Sequence, residues 1–172
     1  MRKTTVIITL LVILALLNFA IYKREVHIKE GAVVFLRLAP VDPRSLMQGD
    51  YMALRFSMAR SIRNALAKEE SVNHRTWRRN VDANDGFVLV NLDERKVATF
   101  EAIYTSQILK KNQVLLQYRI RAGKVKFATN AFFFEEGTAT RYEKALYGEF
   151  RVNRKHELLL IDMYDSNLSK IE

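Results

Sequence analysis

Hydrophobic positions fall along this chain in two regimes. From Thr4 to Tyr22 the sequence reads TTVIITLLVILALLNFAIY, without a charge; at about 1.5 Å of rise per residue, such a run covers the roughly 30 Å hydrocarbon layer of a bilayer. Only Thr4, Thr5, Thr9 and Asn18 break its apolar character, too few for the polar stripe that a helix in a soluble core keeps. The pattern predicts a transmembrane helix, followed by a polar link from Tyr22 to Glu30. Beyond the link the period shortens to two.

Ala32 to Leu38 reads as a first strand, with Val34, Leu36 and Leu38 on one side. Tyr51 to Ser57 is a second, placing Met52, Leu54 and Phe56 on one face and Tyr51, Ala53 and Arg55 on the other. Ser57 to Glu70 returns to helical spacing through Met58, Ile62, Ala65 and Leu66. Gly86 to Leu92 and Val97 to Tyr104, joined by DERK, predict a hairpin. In QVLLQYRIR, Gln113 to Arg121, Val114, Leu116, Tyr118 and Ile120 alternate with Leu115, Gln117, Arg119 and Arg121; one face should be core and the other wet, with AGK turning the chain into VKFAT. Asn130 to Glu135 reads as a strand whose FFF is expected to be buried on both sides, whereas an exposed Phe133 would mark a partner-binding patch. Thr138 to Tyr147 then reads as a short helix closed by a left-handed cap at Gly148, and Glu149 to Asn153 with Glu157 to Tyr164 as a last hairpin. The expected fold class is mainly β (α+β): residues 1–29 form a single transmembrane helix with its link, and residues 30–172 an antiparallel β-rich domain with two short helices.

Composition sharpens the placement. With 172 residues, 49% of them hydrophobic, the chain can build one core and still supply a span. It has no cysteine, which excludes disulfides and thioether lipid attachment. The apolar run is long for a signal peptide, and Asn18, Ala20 and Tyr22 offer no small-x-small cleavage site; the helix is expected to stay as an anchor, holding the bilayer through residues 4–22. Arg2, Lys3 and the terminal amine precede it, while Lys23 and Arg24 beyond it are followed at once by Glu25. This predicts a signal-anchor in a bacterial inner membrane, with a cytoplasmic N-terminus and a periplasmic C-terminal domain.

The formal charge of +9 is spread out except at NHRTWRRN, Asn73 to Asn80. Arg75, Trp77, Arg78 and Arg79 could meet anionic headgroups, at about 1 kcal/mol per basic residue, or form a solvated loop. Arginines beside an aromatic also suit nucleic acid, but a tether outside the cytoplasm argues against it, and no nucleic-acid partner is expected.

Candidate chemistry gathers at PVDPRSLMQGDYMALRF, Pro40 to Phe56. The prolines bar helical geometry at Ala39 and Asp42, and Gly49-Asp50 makes a tight turn. Tyr51 then points away from the core face, as a contact residue or toward a partner for its hydroxyl. Asp42, Arg44, Asp50, Glu135 and Glu136 are the charged residues nearest the corner and could build a ligand or hydrolytic site; Glu136 before Gly137 equally suits a helix start, and Glu135 could pair with Arg44. His27, His74 and His156 are far apart, so no metal site is expected, nor any cofactor. Signal peptidases and self-cleaving repressors also lead through a GD turn into a strand. Laying their spacing here puts Val41 at the nucleophile, with Ser45 and Lys96 only nearby. No catalytic residue is assigned.

GDYMALRF resembles the defining motif of the GDYXXLXY family of membrane-anchored proteins, with Phe56 in place of its last tyrosine. PVDPRSLMQGDY and FFFEEGTATRYEKALYGEFRV are also similar to it, so the likeness covers the chain from Gly31 to the end. The resemblance implies a single-span protein that accompanies multi-span membrane proteins, in a family with no established activity. Two readings follow. The first is a non-enzymatic module that docks on an integral membrane partner or envelope component through Tyr51. The alternative is an envelope hydrolase or small-ligand binder in which Asp42, Arg44, Asp50 and Glu135 or Glu136 converge.

Overall fold

The structure, a computed structural model, describes residues 2–39, 47–48, 51–72, 83–129 and 131–172. Helix α1 occupies Arg2–Glu30 and is long and apolar enough to cross a membrane, with its apolar stretch clear of the rest of the molecule. Its polar interruptions are satisfied internally: Thr9 donates to the Thr5 carbonyl at 3.0 Å and Asn18 to that of Leu14 at 2.8 Å. The segment Tyr22 to Glu30, expected as a polar link, continues this helix. It contains no glycine or proline, and Glu25 and Lys29 pair one turn apart at 3.8 Å.

The domain that follows contains β1 (Ala32–Arg37), β2 (Met47–Gln48), β3 (Tyr51–Ala53), α2 (Ala59–Val72), β4 (Ala83–Leu92), β5 (Ala98–Ile103), β6 (Gln113–Arg121), β7 (Lys124–Lys126), β8 (Ala131–Phe133), α3 (Ala139–Tyr142), β9 (Tyr147–Val152) and β10 (Leu158–Tyr164). Among the described residues the strands form three antiparallel sheets, ordered β1-β9-β10, β2-β3-β8 and β5-β4-β6-β7. β1 ties them together. Phe35 bridges Val97 at the start of β5, and Leu38 bridges Phe56 beyond β3. Ala122 and Gly123, both at positive φ, make the two-residue turn between β6 and β7. β5 and β6 lie on either side of β4, so the segment joining them crosses that strand.

The period-two faces converge on one core. Val34 and Leu36 of β1, Met52 of β3, Val88 and Val90 of β4 and Leu116 of β6 are all buried. Phe56, 3% exposed, stands edge-on to Phe127 at 5.2 Å and to Phe150 at 5.8 Å. Helix α2 closes one side with Ile62, and the tail beyond β10 folds back to bury Ile171.

Three expectations are corrected. The outer face of β6 is wet only toward Arg119 and Arg121; Leu115 and Gln113 are buried, Gln113 donating to Glu101 across β4 at 2.6 Å. Helix α3 is a single turn, and Gly148 lies inside β9. There a Cβ would come within 3.0 Å of the Phe150 ring and 3.3 Å of Leu160, so the glycine makes room for packing and does not supply a left-handed cap. Finally, Phe133 is 73% exposed. Phe132 and Phe134 share the Tyr142 ring, at 5.1 and 5.2 Å, and no second layer covers the opposite side of β8 among the described residues.

Candidate functional site

The passage from α1 into β1 sets the geometry of the site. Gly31 is needed here because a Cβ would lie 2.5 Å from the His27 carbonyl oxygen and 2.9 Å from Arg151 Cβ. With that approach made, His27, 9% exposed, reaches the Arg151 carbonyl through Nε2 at 2.9 Å. Its Nδ1 faces the Asn153 amide nitrogen at 3.5 Å. Asn153 Oδ1 accepts from the backbone of Lys155 and Glu157, which orients the amide nitrogen toward His27 and Glu157. A donor facing Nδ1 and an acceptor facing Nε2 favour the neutral imidazole with its proton on Nε2. The Arg151 guanidinium extends toward the Gly31 carbonyl at 3.4 Å and Glu149 at 3.3 Å. α1 is thus hydrogen-bonded onto the β9–β10 hairpin at its last turn.

Between this last turn, the hairpin tip and the edge formed by β6 and β8 lies a cleft of about 1100 Å³. Lys23, Arg24, Arg119, Arg154 and Lys155 line it, against two carboxylates, Glu30 and Glu157. Both carboxylates are engaged: Glu30 with Arg154 at 3.9 Å, Glu157 with Asn153 at 2.8 Å. The Asn153 hydrogen bond, with Lys155 and Lys23 nearby, holds Glu157 below the usual carboxylate range. Ala131, Phe132, Phe133 and Leu159 supply an apolar wall, and at its far end the cleft reaches Ala20, inside the uncharged stretch of α1.

Tyr51 borders the cleft through a partner, its ring 5.8 Å from that of Phe133. Met52, Leu54 and Phe56 are core and Tyr51 is half-buried on the opposite face, as the alternation requires. Glu135 and Glu136 are exposed at the turn after β8, where the Glu135 carbonyl accepts from the amide and hydroxyl of Thr138. Asp42, Arg44, Ser45 and Asp50 lie outside the described residues, as do His74, Arg75, Trp77, Arg78 and Arg79. The motif at Tyr51 to Phe56 therefore spends three positions on the core and one on an outward face.

A family pattern spans this whole arrangement, matching residues 13–163, from the second half of α1 to Met163 of β10. The chain belongs to the GDYXXLXY protein family. No curated protein and no solved structure matches it. In this GDYXXLXY protein the position of the pattern's last tyrosine is the caged Phe56, so here it serves packing. The cleft residues escape sequence reasoning because its walls come from distant segments: His27 and the carbonyl it binds are 124 positions apart. The pairs Lys23-Arg24 and Arg154-Lys155 are visible in the sequence, but nothing local joins them.

Proposed function

We propose that this GDYXXLXY protein is a membrane-tethered, non-enzymatic binding module. In this reading α1 spans a bacterial inner membrane from a cytoplasmic N-terminus, and the domain stands in the periplasm against the bilayer. Its Tyr51–Phe133 edge meets an integral membrane partner. One observation carries the reading: an uncovered apolar helix runs without a linker into a domain whose most exposed aromatic ring, Phe133, borders a cleft at that helix's last turn. The three-residue basic tail ahead of the span supports the orientation, since long domains translocate largely regardless of their own charges. Confinement to the membrane plane raises the effective concentration of the partner, so modest affinity suffices.

Photocrosslinking in intact cells tests this. A benzophenone amino acid at Phe133 or Tyr51 should give one discrete adduct with an integral membrane protein, absent when the probe replaces Lys111 in an exposed loop. Identical smears from all three positions would refute the docking edge. A periplasm-active enzyme fused after Glu172 should report activity; activity only from a cytoplasm-restricted reporter would reverse the orientation.

A further inference from the structure

We propose that the cleft at the end of α1 holds the phosphate headgroup of an anionic phospholipid taken from the surrounding bilayer, an inference that rests on α1 being membrane-embedded. The first argument is the grading of the lining. It begins at Ala20, within the hydrocarbon-length stretch, passes Lys23 and Arg24 one turn on, and ends among Arg119, Arg154 and Lys155 on the domain. An amphiphile standing in the bilayer would place acyl carbon against the first part and its charged end against the last. A soluble anion would have no use for the apolar end.

Charge is the second argument. Five basic side chains line the cleft against two carboxylates, and each carboxylate already has a partner, Asn153 for Glu157 and Arg154 for Glu30. Arg119 spends one nitrogen on the Ala128 carbonyl at 3.0 Å, which directs its guanidinium along the cleft wall. A phosphate diester accepts hydrogen bonds and carries the opposite charge, and guanidinium groups suit it in geometry as well as sign. Third, basic residues usually concentrate on the cytoplasmic side of a span; here Lys23 and Arg24 stand at the other end, where their place in the cleft gives them a use.

The test uses the full chain in detergent, titrated with phosphatidylglycerol or phosphatidylcholine and read by native mass spectrometry. Phosphatidylglycerol should bind at least about tenfold more tightly. The double variant Arg119→Gln/Lys155→Gln, both exposed positions on the domain, should lower that preference about tenfold, as loss of two basic contacts to an anionic headgroup implies. Lys110→Gln/Lys111→Gln, outside the cleft, should leave it unchanged. If the first variant misfolds by circular dichroism, Lys23→Gln/Arg24→Gln on the helix replaces it. Equal affinity for the two lipids, or an unchanged preference in the cleft variants, overturns the proposal. Displacement of the lipid by equimolar glycerol phosphate would reassign the site to free phosphate esters, and displacement by a short acidic peptide would reassign it to a protein partner; either outcome overturns the lipid. Alkaline extraction of cell membranes checks the anchor separately: release of the chain would refute the membrane reading, while the detergent titration still reports the lining's own preference.

Discussion

Glu149 is 7% exposed, and its carboxylate takes the Tyr164 hydroxyl at 2.6 Å and Arg151 at 3.3 Å. Burial, and then the hydrogen bond to that carboxylate, push the Tyr164 hydroxyl up to about 12. The folded chain thus holds this proton more tightly than the unfolded one. The stabilisation is complete below about pH 10, the ordinary tyrosine value, and is lost as pH rises toward 12. Absorbance at 295 nm should show one of the seven tyrosines ionising after the rest, and Tyr164→Phe should delete that late step. The same variant leaves a buried carboxylate with one partner fewer, at a cost of about 1–3 kcal/mol in denaturant melts. Gly31→Ala acts through geometry alone: with the His27 carbonyl 2.5 Å from the new methyl carbon, the last turn of α1 must shift. Trypsin should then cut at Lys29 and Arg24 faster than in the parent chain; unchanged cleavage would show that the junction absorbs the methyl group.

At the scale of elements, Phe56 links the sheets through its contacts with Phe127 and Phe150. Phe56→Ala should cost about 3–5 kcal/mol of unfolding free energy. A loss under 1 kcal/mol would mean that the core closes without it. Strands with one apolar face were readable because alternation is a local signal. Leu116, Tyr118 and Ile120 are buried and Met52, Leu54 and Phe56 share the core, and both sets follow from every second position. Where another element decides, alternation is silent. Leu115 looks identical in the sequence whether or not a crossing segment shelters it, and Phe133 looks buried until β8 proves to have only one packed side. Gly148 misled for a related reason: a glycine after a helical pattern suggests a cap, whereas Phe150 and Leu160 require its small size inside a strand.

For the whole molecule, the legible part was the architecture, an apolar helix before an antiparallel β-rich domain, together with the family. The cleft was not legible, because residues near 24, 119, 131 and 155 meet only after three sheets have formed. The domain's own core predicts that a chain starting at Gly31 folds with a β-dominated circular dichroism spectrum. Without His27 the Arg151 carbonyl loses a hydrogen bond worth about 1 kcal/mol, so this chain should melt a few degrees below one that starts at Tyr22. Equal melting temperatures would show that the last turn of α1 adds nothing to the domain.

Because α1 enters β1 with no slack, the helix behaves as an axle keyed to the body it carries. One alanine inserted in the middle of the apolar run would swing the domain about 100° around the membrane normal relative to everything before the insertion, while four would nearly restore its heading. A neighbour in the lipid that grips the first half of the helix would therefore meet Phe133 from only one bearing.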